Sequence, residues 1–416
     1  MGNSLARRTS VGHALQRDGP RIRTENGWYI DATGGQHALL YSRLCDRLVG
    51  LPQLDALDVI GVSRFLENER VDALAEWIAG YDDTPGLQSY FVSGGTEAFE
   101  IALAIAHHIH ADAGHLERGA VLGLSGSYHG CSIAALNAGD HPIHRSRLRQ
   151  AADLSWPTLV RAQMASPDET TRSLACIFES RSVAAMVVEP IGGTTAGALA
   201  IEEPIFGAIR DTCRRHGVLL ITDEVVTGFG RTGQPFCASG NDFDIRMSGK
   251  LLGGGIVPIC AVSVSPRVAA LLDECVAAPP LRLTYAGNAL AAKFALALQK
   301  LRTVGEPLDV QAKGEFLRAA LEDRVTKFGA MVRGRGLLLA VVLNTIHAAR
   351  FLQHTIEIGI SSGVLLMGGV STEPESMHLM VTPALDATEE DLEITADGVA
   401  RVLSRAIGER EWISQS

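Results

Sequence analysis

No run of about 18 consecutive apolar residues occurs in this 416-residue chain, because glycine, proline or charge interrupts each candidate. A membrane-spanning helix is therefore not expected. Paired cysteines are lacking as well. The seven, at positions 45, 131, 176, 213, 237, 260 and 275, are scattered, odd in number and without a CxxC pair. That argues against a disulfide framework and a zinc site, and for a reducing compartment. There is no excess of positive charge. Lys and Arg number 37 against 47 Asp and Glu, for a formal net charge of -10, and the pI is near 5.7. A nucleic-acid partner is not expected. Arg7-Arg8 is not followed by an apolar segment, and Ala6 stands where myristoylation prefers Ser or Thr, so neither a secretory signal nor a lipid anchor is expected. A cytoplasmic protein is the expectation. Internal repeats and low-complexity tracts are absent from the sequence.

What is present is ordinary for a globular protein: 46% hydrophobic and 20% charged residues, on a length that allows two or three domains. Residues 1–25 are basic and polar and read as an arm. A short strand is expected at Gly27–Asp31 and a helix from Val71 to Tyr81. Tyr90–Val92 then runs into Ser93–Gly94–Gly95–Thr96, with a helix from Glu97 to about Ala113. Further strands are expected at 120–124, 184–188, 218–222 and 259–264, with helices between most of them, notably 203–216. This alternation predicts an α/β fold with a largely parallel sheet. One long helix is expected over 288–304. Beyond it, helices at 314–328, 345–358 and 389–407 mix with strands at 336–343 and 377–381, which reads as a smaller α+β unit. The domain division expected is 1–48 for the arm and part of the small domain, 49–300 for the large domain, and 301–416 for the C-terminal small domain.

Three features carry chemistry. The glycine-rich turn at 93–96, between a strand and a helix, would present backbone N–H groups and a helix dipole to an anion such as phosphate; equally it suits a tight turn with Thr96 as N-cap. The apolar run from Val218 to Thr222 ends on Asp223 and Glu224, and ligands of open α/β sheets bind beyond such strand ends. Lys250 follows Gly249 and precedes Gly253–Gly255, with room to swing; as a plain surface lysine it would have the same neighbours. Cradle, carboxylate and lysine together are what pyridoxal phosphate requires: an anion site, a partner for the ring nitrogen, and an amine for the Schiff base. Gly228–Gly233 also matches GxGxxG, but Gln234–Pro235 follows where a dinucleotide site needs a helix, so a loop is expected there. His107, His108, His110 and His115 have no acid or cysteine at a metal-ligand spacing, and a polar helix end is expected.

The segments TDEVVTGFGRTG and SGKLLGGG resemble the signature of class III aminotransferases, which have the fold-type I architecture. SGGTEA at 93, SYHG at 127, VVEP at 187 and TYAGN at 284 follow in the order of that family. The resemblance implies a large domain with a mostly parallel sheet flanked by helices, a smaller α+β domain, and pyridoxal 5'-phosphate as cofactor. It implies that Lys250 forms the Schiff base and moves the proton, and that Asp223 pairs with the ring nitrogen. Gly95 and Thr96 would bind the phosphate, Tyr128 would stack on the ring, and Val225 would pack its other face. Thr284 would reach the phosphate of a neighbouring subunit, implying a homodimer with shared sites. His129 and Glu189 fall at family positions near the cofactor, with a structural role as the equal alternative.

Two departures bear on substrate. Val226 stands where many members have glutamine. Met380, in Met380–Leu385, stands where the family usually has an arginine that grips the substrate α-carboxylate, a role methionine cannot fill. Residues 34–62, which line the substrate pocket in the family, match poorly. The resemblance therefore implies an aminotransferase acting on an amine and a ketone or aldehyde without a conventionally held α-carboxylate, in specialised metabolite biosynthesis. The acceptor stays open to a large or peptide-borne ketone. Three alternatives remain open on sequence: an aminomutase resembling glutamate-1-semialdehyde aminomutase, an NAD-dependent dehydrogenase, and a non-catalytic family member.

Overall fold

The computed structural model describes residues 14–43, 68–140, 152–180, 182–281, 283–303, 308–345, 347–372 and 375–409. The arm up to residue 13, residues 44–62 of the poorly matching stretch, and Val304 lie outside the described residues. In chain order the strands are β1 (Ala14–Asp18), β2 (Arg21–Thr24), β3 (Gly27–Asp31), β4 (Gln88–Val92), β5 (Ala120–Leu124), β6 (Thr158–Leu159), β7 (Val183–Val188) and β8 (Leu219–Glu224). They continue with β9 (Ile245–Ser248), β10 (Cys260–Val264), β11 (Met331–Arg335), β12 (Leu338–Asn344), β13 (Val364–Leu365), β14 (Met367–Thr372) and β15 (Glu375–Val381). The helices are α1 (Glu69–Tyr81), α2 (Gly95–Asp112), α3 (Ile133–Ala138), α4 (Pro167–Ser180) and α5 (Glu203–Arg215). After these come α6 (Pro266–Glu274), α7 (Ala289–Lys300), α8 (Val310–Val325), α9 (Ala348–Ser361) and α10 (Glu389–Gly408).

The chain divides into two compact units, one made of residues 51–307 and the other of 1–50 with 308–416. The larger holds a seven-stranded sheet in the order β4-β10-β9-β8-β7-β5-β6. All its pairings are parallel except those of β10, which runs antiparallel to β4 and β9. β7 and β8 are buried at every position, as strands covered on both faces must be, and this explains their unbroken apolar runs. α2 lies on β9 and β10 with a buried face rich in small residues, Ala98, Ala102 and Ala106 beside Phe99, Ile101 and Ile105. Alanines at helical spacing bring that helix close to the strands without leaving voids.

The smaller unit has two four-stranded sheets, β1-β2-β3-β13 and β11-β12-β15-β14. β13 pairs parallel with β3, and the second sheet is antiparallel throughout. α10 opens on a capping box made by Thr388 and Asp391, and Arg43 donates two hydrogen bonds to Asp391 at 2.6 and 2.9 Å, tying the N-terminal segment to the C-terminal helix. Met380 sits one residue before the carboxyl end of β15, paired with Ala340 on one side and Met367 on the other, with 0% exposure.

Several elements differ in extent from the sequence expectation. β8 runs on through Asp223 and Glu224, so both acids belong to the strand end. α2 begins at Gly95, and its N-cap is Gly94 rather than Thr96. The long helix expected at 288–304 is α7 followed by a 3₁₀ turn over Leu301–Thr303. No helix among the described residues is long and apolar enough to cross a membrane.

Candidate active site

β7, β8 and β9 run parallel, with β8 in the middle of the sheet, so their carboxyl ends open on one edge. Asp223 is paired with Met247 and Glu224 with Ser248. Gly249 and Lys250 therefore leave β9 next to the strand end that carries Asp223. The antiparallel β10 sets Cys260 beside Val92 and Ala261 beside Ser248, which brings the carboxyl end of β4 to the same edge. Ser93 and Gly94 lead from there into α2. β5 ends into the turn bearing Tyr128 and His129, and β7 into Glu189.

Asp223 is 7% exposed and has two protein partners. Its Oδ2 lies 2.8 Å from His129 Nδ1, and its Oδ1 accepts the Val225 N–H at 3.1 Å. The His129 ring stacks on Phe99, with centroids 5.9 Å apart and planes 13° apart, which fixes the imidazole edge-on to the acid. Glu189 is buried one residue past β7. Its carboxylate accepts the Tyr128 N–H at 3.1 Å and the Gly193 N–H at 2.9 Å, so it clamps two turns. Burial pushes the Glu189 carboxyl above its ordinary value, with His129 opposing. The side chain of Tyr128 is 41% exposed, and burial of its remainder raises its hydroxyl, with Cys131 and Asp223 adding to the rise.

Opposite these groups the first turn of α2 has no side-chain cap, leaving backbone donors at Gly95 and Thr96 for an anion. The Glu97 carboxylate accepts the Ser93 N–H at 2.8 Å. The Thr96 hydroxyl accepts the Cys131 N–H at 3.3 Å, a contact possible because Gly130, at φ +134°, has no Cβ, which would fall 2.6 Å from Thr96 Oγ1. Val225 flanks the same turn, 3.5 Å from where a Cβ on Gly95 would be. Lys250 is half-buried, opens the 3₁₀ turn Lys250–Leu252 and has a left-handed backbone, φ +44°. Burial lowers its amine below the ordinary lysine value, and Asp223 pulls in the other direction. Thr284 is exposed, on a turn whose Gly287 N–H donates to Phe91 O at 2.9 Å.

Gly228–Gly233 forms successive turns with no helix after Gly233, as a dinucleotide fingerprint would demand. Its Arg231 is fully buried and pushed down to about 9, first by burial and then by Arg302. His110 is buried with Nε2 2.9 Å from Ala184 O, which gives one of the clustered histidines a backbone partner. No group of three or more His, Cys, Asp or Glu side chains is gathered for a metal among the described residues.

The sequence matches the aminotransferase class-III family profile over residues 14–403. The chain belongs to the class III aminotransferases. Among curated relatives, this aminotransferase is 32% identical over 333 residues to the acetylornithine aminotransferase of Xylella fastidiosa, a match covering 77% of this chain and 74% of that one. Its fold is that of solved transaminases. One, from the marine bacterium Virgibacillus, superposes with a TM-score of 0.84 at 23% identity, covering 96% of this chain and 94% of the other. Another, a pyridoxal-phosphate-bound amine transaminase from an uncultivated Pseudomonas species, gives 0.83 at 23% identity, over 98% and 97%. The protein is thus an aminotransferase of fold type I that uses pyridoxal phosphate, and its substrates are an amine donor and a carbonyl acceptor.

The residues at the strand ends of this aminotransferase fit that cofactor. The uncapped turn of α2 suits its phosphate, Asp223 its basic ring nitrogen, and the lowered amine of Lys250 its aldehyde. Two supporting residues escape sequence reasoning. Arg161 donates from Nε to Ser125 O at 3.2 Å and from its backbone to Ser125 Oγ at 3.0 Å, bracing the turn that carries Tyr128 and His129. Glu224, next to Asp223, accepts from the Cys237 N–H at 2.7 Å, the Ala238 N–H at 2.9 Å and the Thr227 hydroxyl at 3.0 Å. Both depend on backbone partners that carry no sequence signal. Glu224→Ala would strand three buried donors, so a loss of roughly 3 kcal/mol in denaturant unfolding is expected, with Glu224→Gln retaining most of the stability.

Proposed function

We propose that Lys250 is the reactive amine of this aminotransferase, that Asp223 holds the cofactor's ring nitrogen, and that its donor is an amine not gripped through an α-carboxylate arginine. The observation that carries the proposal is the convergence of Asp223 and Lys250 at the ends of neighbouring parallel strands, opposite the uncapped start of α2. When bound, pyridoxal phosphate supplies the electron sink for the pair released at the amine-bearing carbon. The protein's part is proton handling and orientation. Lys250 Nζ, its proton affinity lowered by burial, takes the proton from the amine-bearing carbon of the donor as general base and later returns it. Asp223, aimed by His129 and the Val225 N–H, offers a fixed negative charge to a ring N–H⁺. Gly95 and Thr96 anchor the phosphate, and Tyr128 and Val225 cover the two ring faces.

The substrate reading rests on Met380. Its place in β15, paired on both sides and fully buried, offers no charged group to a carboxylate. Amines without an α-carboxylate are the donors this favours, with a ketone or aldehyde acceptor in specialised metabolism, open to a large or peptide-borne ketone. Met380→Arg is not expected to create a carboxylate grip. An unpaired guanidinium in that sheet should cost about 3–5 kcal/mol, read as a large fall in Tm, with no gain in turnover of α-amino acids. Thr284, exposed beside the 70% exposed Tyr285, fits a role at the phosphate of a second subunit in a homodimer. A cytoplasmic location belongs to the same reading.

The test is a matrix of donors and acceptors on purified enzyme, α-amino acids against amines lacking a carboxylate. Turnover should favour the latter. A strict preference for α-amino acids would sink the substrate reading, and turnover of a single amino ketone or amino aldehyde with no separate donor would point to an aminomutase.

A further inference from the structure

Lys250 and Phe229 both have left-handed backbones, φ +44° and +56°, a region that residues with side chains hold only where their surroundings fix them. One helix reaches both. The buried residues of α7 are alanine and leucine except for Gln299, which is 0% exposed. An amide in that company is destabilising unless its donors and its acceptor find partners. Here they do. Gln299 Nε2 donates to Leu251 O at 2.7 Å and to Leu252 O at 3.1 Å, so both of its hydrogens meet the turn that Lys250 opens. Its Oε1 accepts from Arg302 Nη1 at 3.2 Å, and that same nitrogen donates to Phe229 O at 2.7 Å. Arg302 can come this close because residue 230 is glycine: a Cβ there would fall 2.3 Å from Arg302 Nη2. These bonds leave the amide one orientation. Turned over, its oxygen would face two carbonyl oxygens and its N–H groups a guanidinium.

We propose that Gln299 is a positioning residue for Lys250: by donating to Leu251 O and Leu252 O it holds the 3₁₀ turn, and with it the left-handed backbone from which the amine reaches the cofactor. This rests on reading Lys250 as the reactive amine. A three-residue 3₁₀ turn has few bonds of its own, and here Gly253 and Gly254 donate to Lys250 O, each at 3.1 Å. Leu251 and Leu252 are buried, and buried carbonyls at the end of such a turn need a donor from outside it. Gln299 gives one to each. Arg302 sets the amide from behind and ties the loop at 228–233 to the same helix.

The experiment uses the full-length enzyme and compares two variants. Gln299→Met keeps the length of the side chain and loses both donors. Arg302→Met keeps both donors and loses the bonds to Gln299 Oε1 and Phe229 O. Three properties are read: kcat and KM, Tm, and the pH profile of reductive methylation of Lys250 in the cofactor-free protein, followed by peptide mass spectrometry. Losing two neutral hydrogen bonds in Gln299→Met should lower kcat about tenfold with KM within about twofold. Its methylation profile should move to higher pH, as an amine released from burial regains proton affinity. Arg302→Met should lower Tm yet keep kcat within about threefold of wild type and leave the profile in place. A folded Gln299→Met variant with wild-type kcat, or with an unmoved profile, overturns the proposal. So does an Arg302→Met variant that loses kcat and shifts the profile as far as Gln299→Met, because the effect would then follow stability and not the two donors. Where Gln299→Met fails to fold, Gln299→Glu decides, since its carboxylate keeps Arg302 as partner and has no donor when ionised. A lowered kcat with a raised profile supports the proposal, and wild-type behaviour overturns it. Borohydride reduction of wild type with pyridoxal phosphate should fix the cofactor to Lys250. If it does not, the parent reading falls and this one with it; if it does and Gln299→Met is unchanged, only this one falls.

Discussion

Lys250→Ala should lower transamination by at least about 10⁴-fold, because it removes the covalent anchor and the general base in one step. The variant should also lose the visible absorption of lysine-bound cofactor, while still binding pyridoxal phosphate through the α2 turn and Asp223. A variant that kept both absorption and turnover would move the reactive amine elsewhere. The lowered proton affinity of Lys250 has a second outcome, in the cofactor-free protein. Between that lowered value and the ordinary lysine value, the unfolded chain binds more protons than the folded one, so stability rises with pH across this window. Lys250→Met removes the buried amine. It should melt higher than the wild-type cofactor-free protein at neutral pH and lose that rise, as thermal scans against pH would record.

Asp223→Asn should leave the cofactor attached to Lys250 and yet reduce kcat by about 10²–10³-fold. An asparagine keeps a hydrogen bond to His129 but gives the ring nitrogen no negative charge, so the electron sink is weakened where it matters. A cofactor analogue methylated at the ring nitrogen, permanently positive, should recover part of the loss in the variant and none in wild type. Equal effects in both would mean that Asp223 acts through packing alone.

The parts of the molecule visible in sequence are those whose physics is local. β7 and β8 read as strands because both faces are buried and the apolar run is unbroken. Glycines and the lone Lys250 stood out because their spacing serves a turn. β9 was opaque for a physical reason: it contains Arg246, which reads as a break in an apolar run yet is fully buried. The charge is met by Asp82 at 2.8 Å, 164 positions away in the chain, and the guanidinium lies over Phe236 and Phe243, 3.6 and 4.6 Å from their centroids. The carboxylate that meets the charge cannot be inferred from the neighbours of Arg246 in sequence. α4 was missed for the opposite reason, since its stretch PDETTRSLACIFES is largely polar and its apolar residues come late. In the site, Asp223 and Lys250 were legible as types at a spacing, whereas the imidazole that aims Asp223 and the Arg161 brace exist only once the strands are side by side.

The burial of Met380 also bears on how this enzyme could change its diet over generations. A single base separates a methionine codon from an arginine codon, so the family's carboxylate-gripping arginine is always within one mutational step. That step leads into a sheet whose neighbours at the position, Ala340 and Met367, are themselves apolar. A lineage taking it alone would lose a foldable small unit before it gained an amino-acid substrate. An arginine at this position thus requires prior changes around β12 and β14 that bring no benefit by themselves, so the exchange of Met380 for arginine is not a single-step path for this aminotransferase.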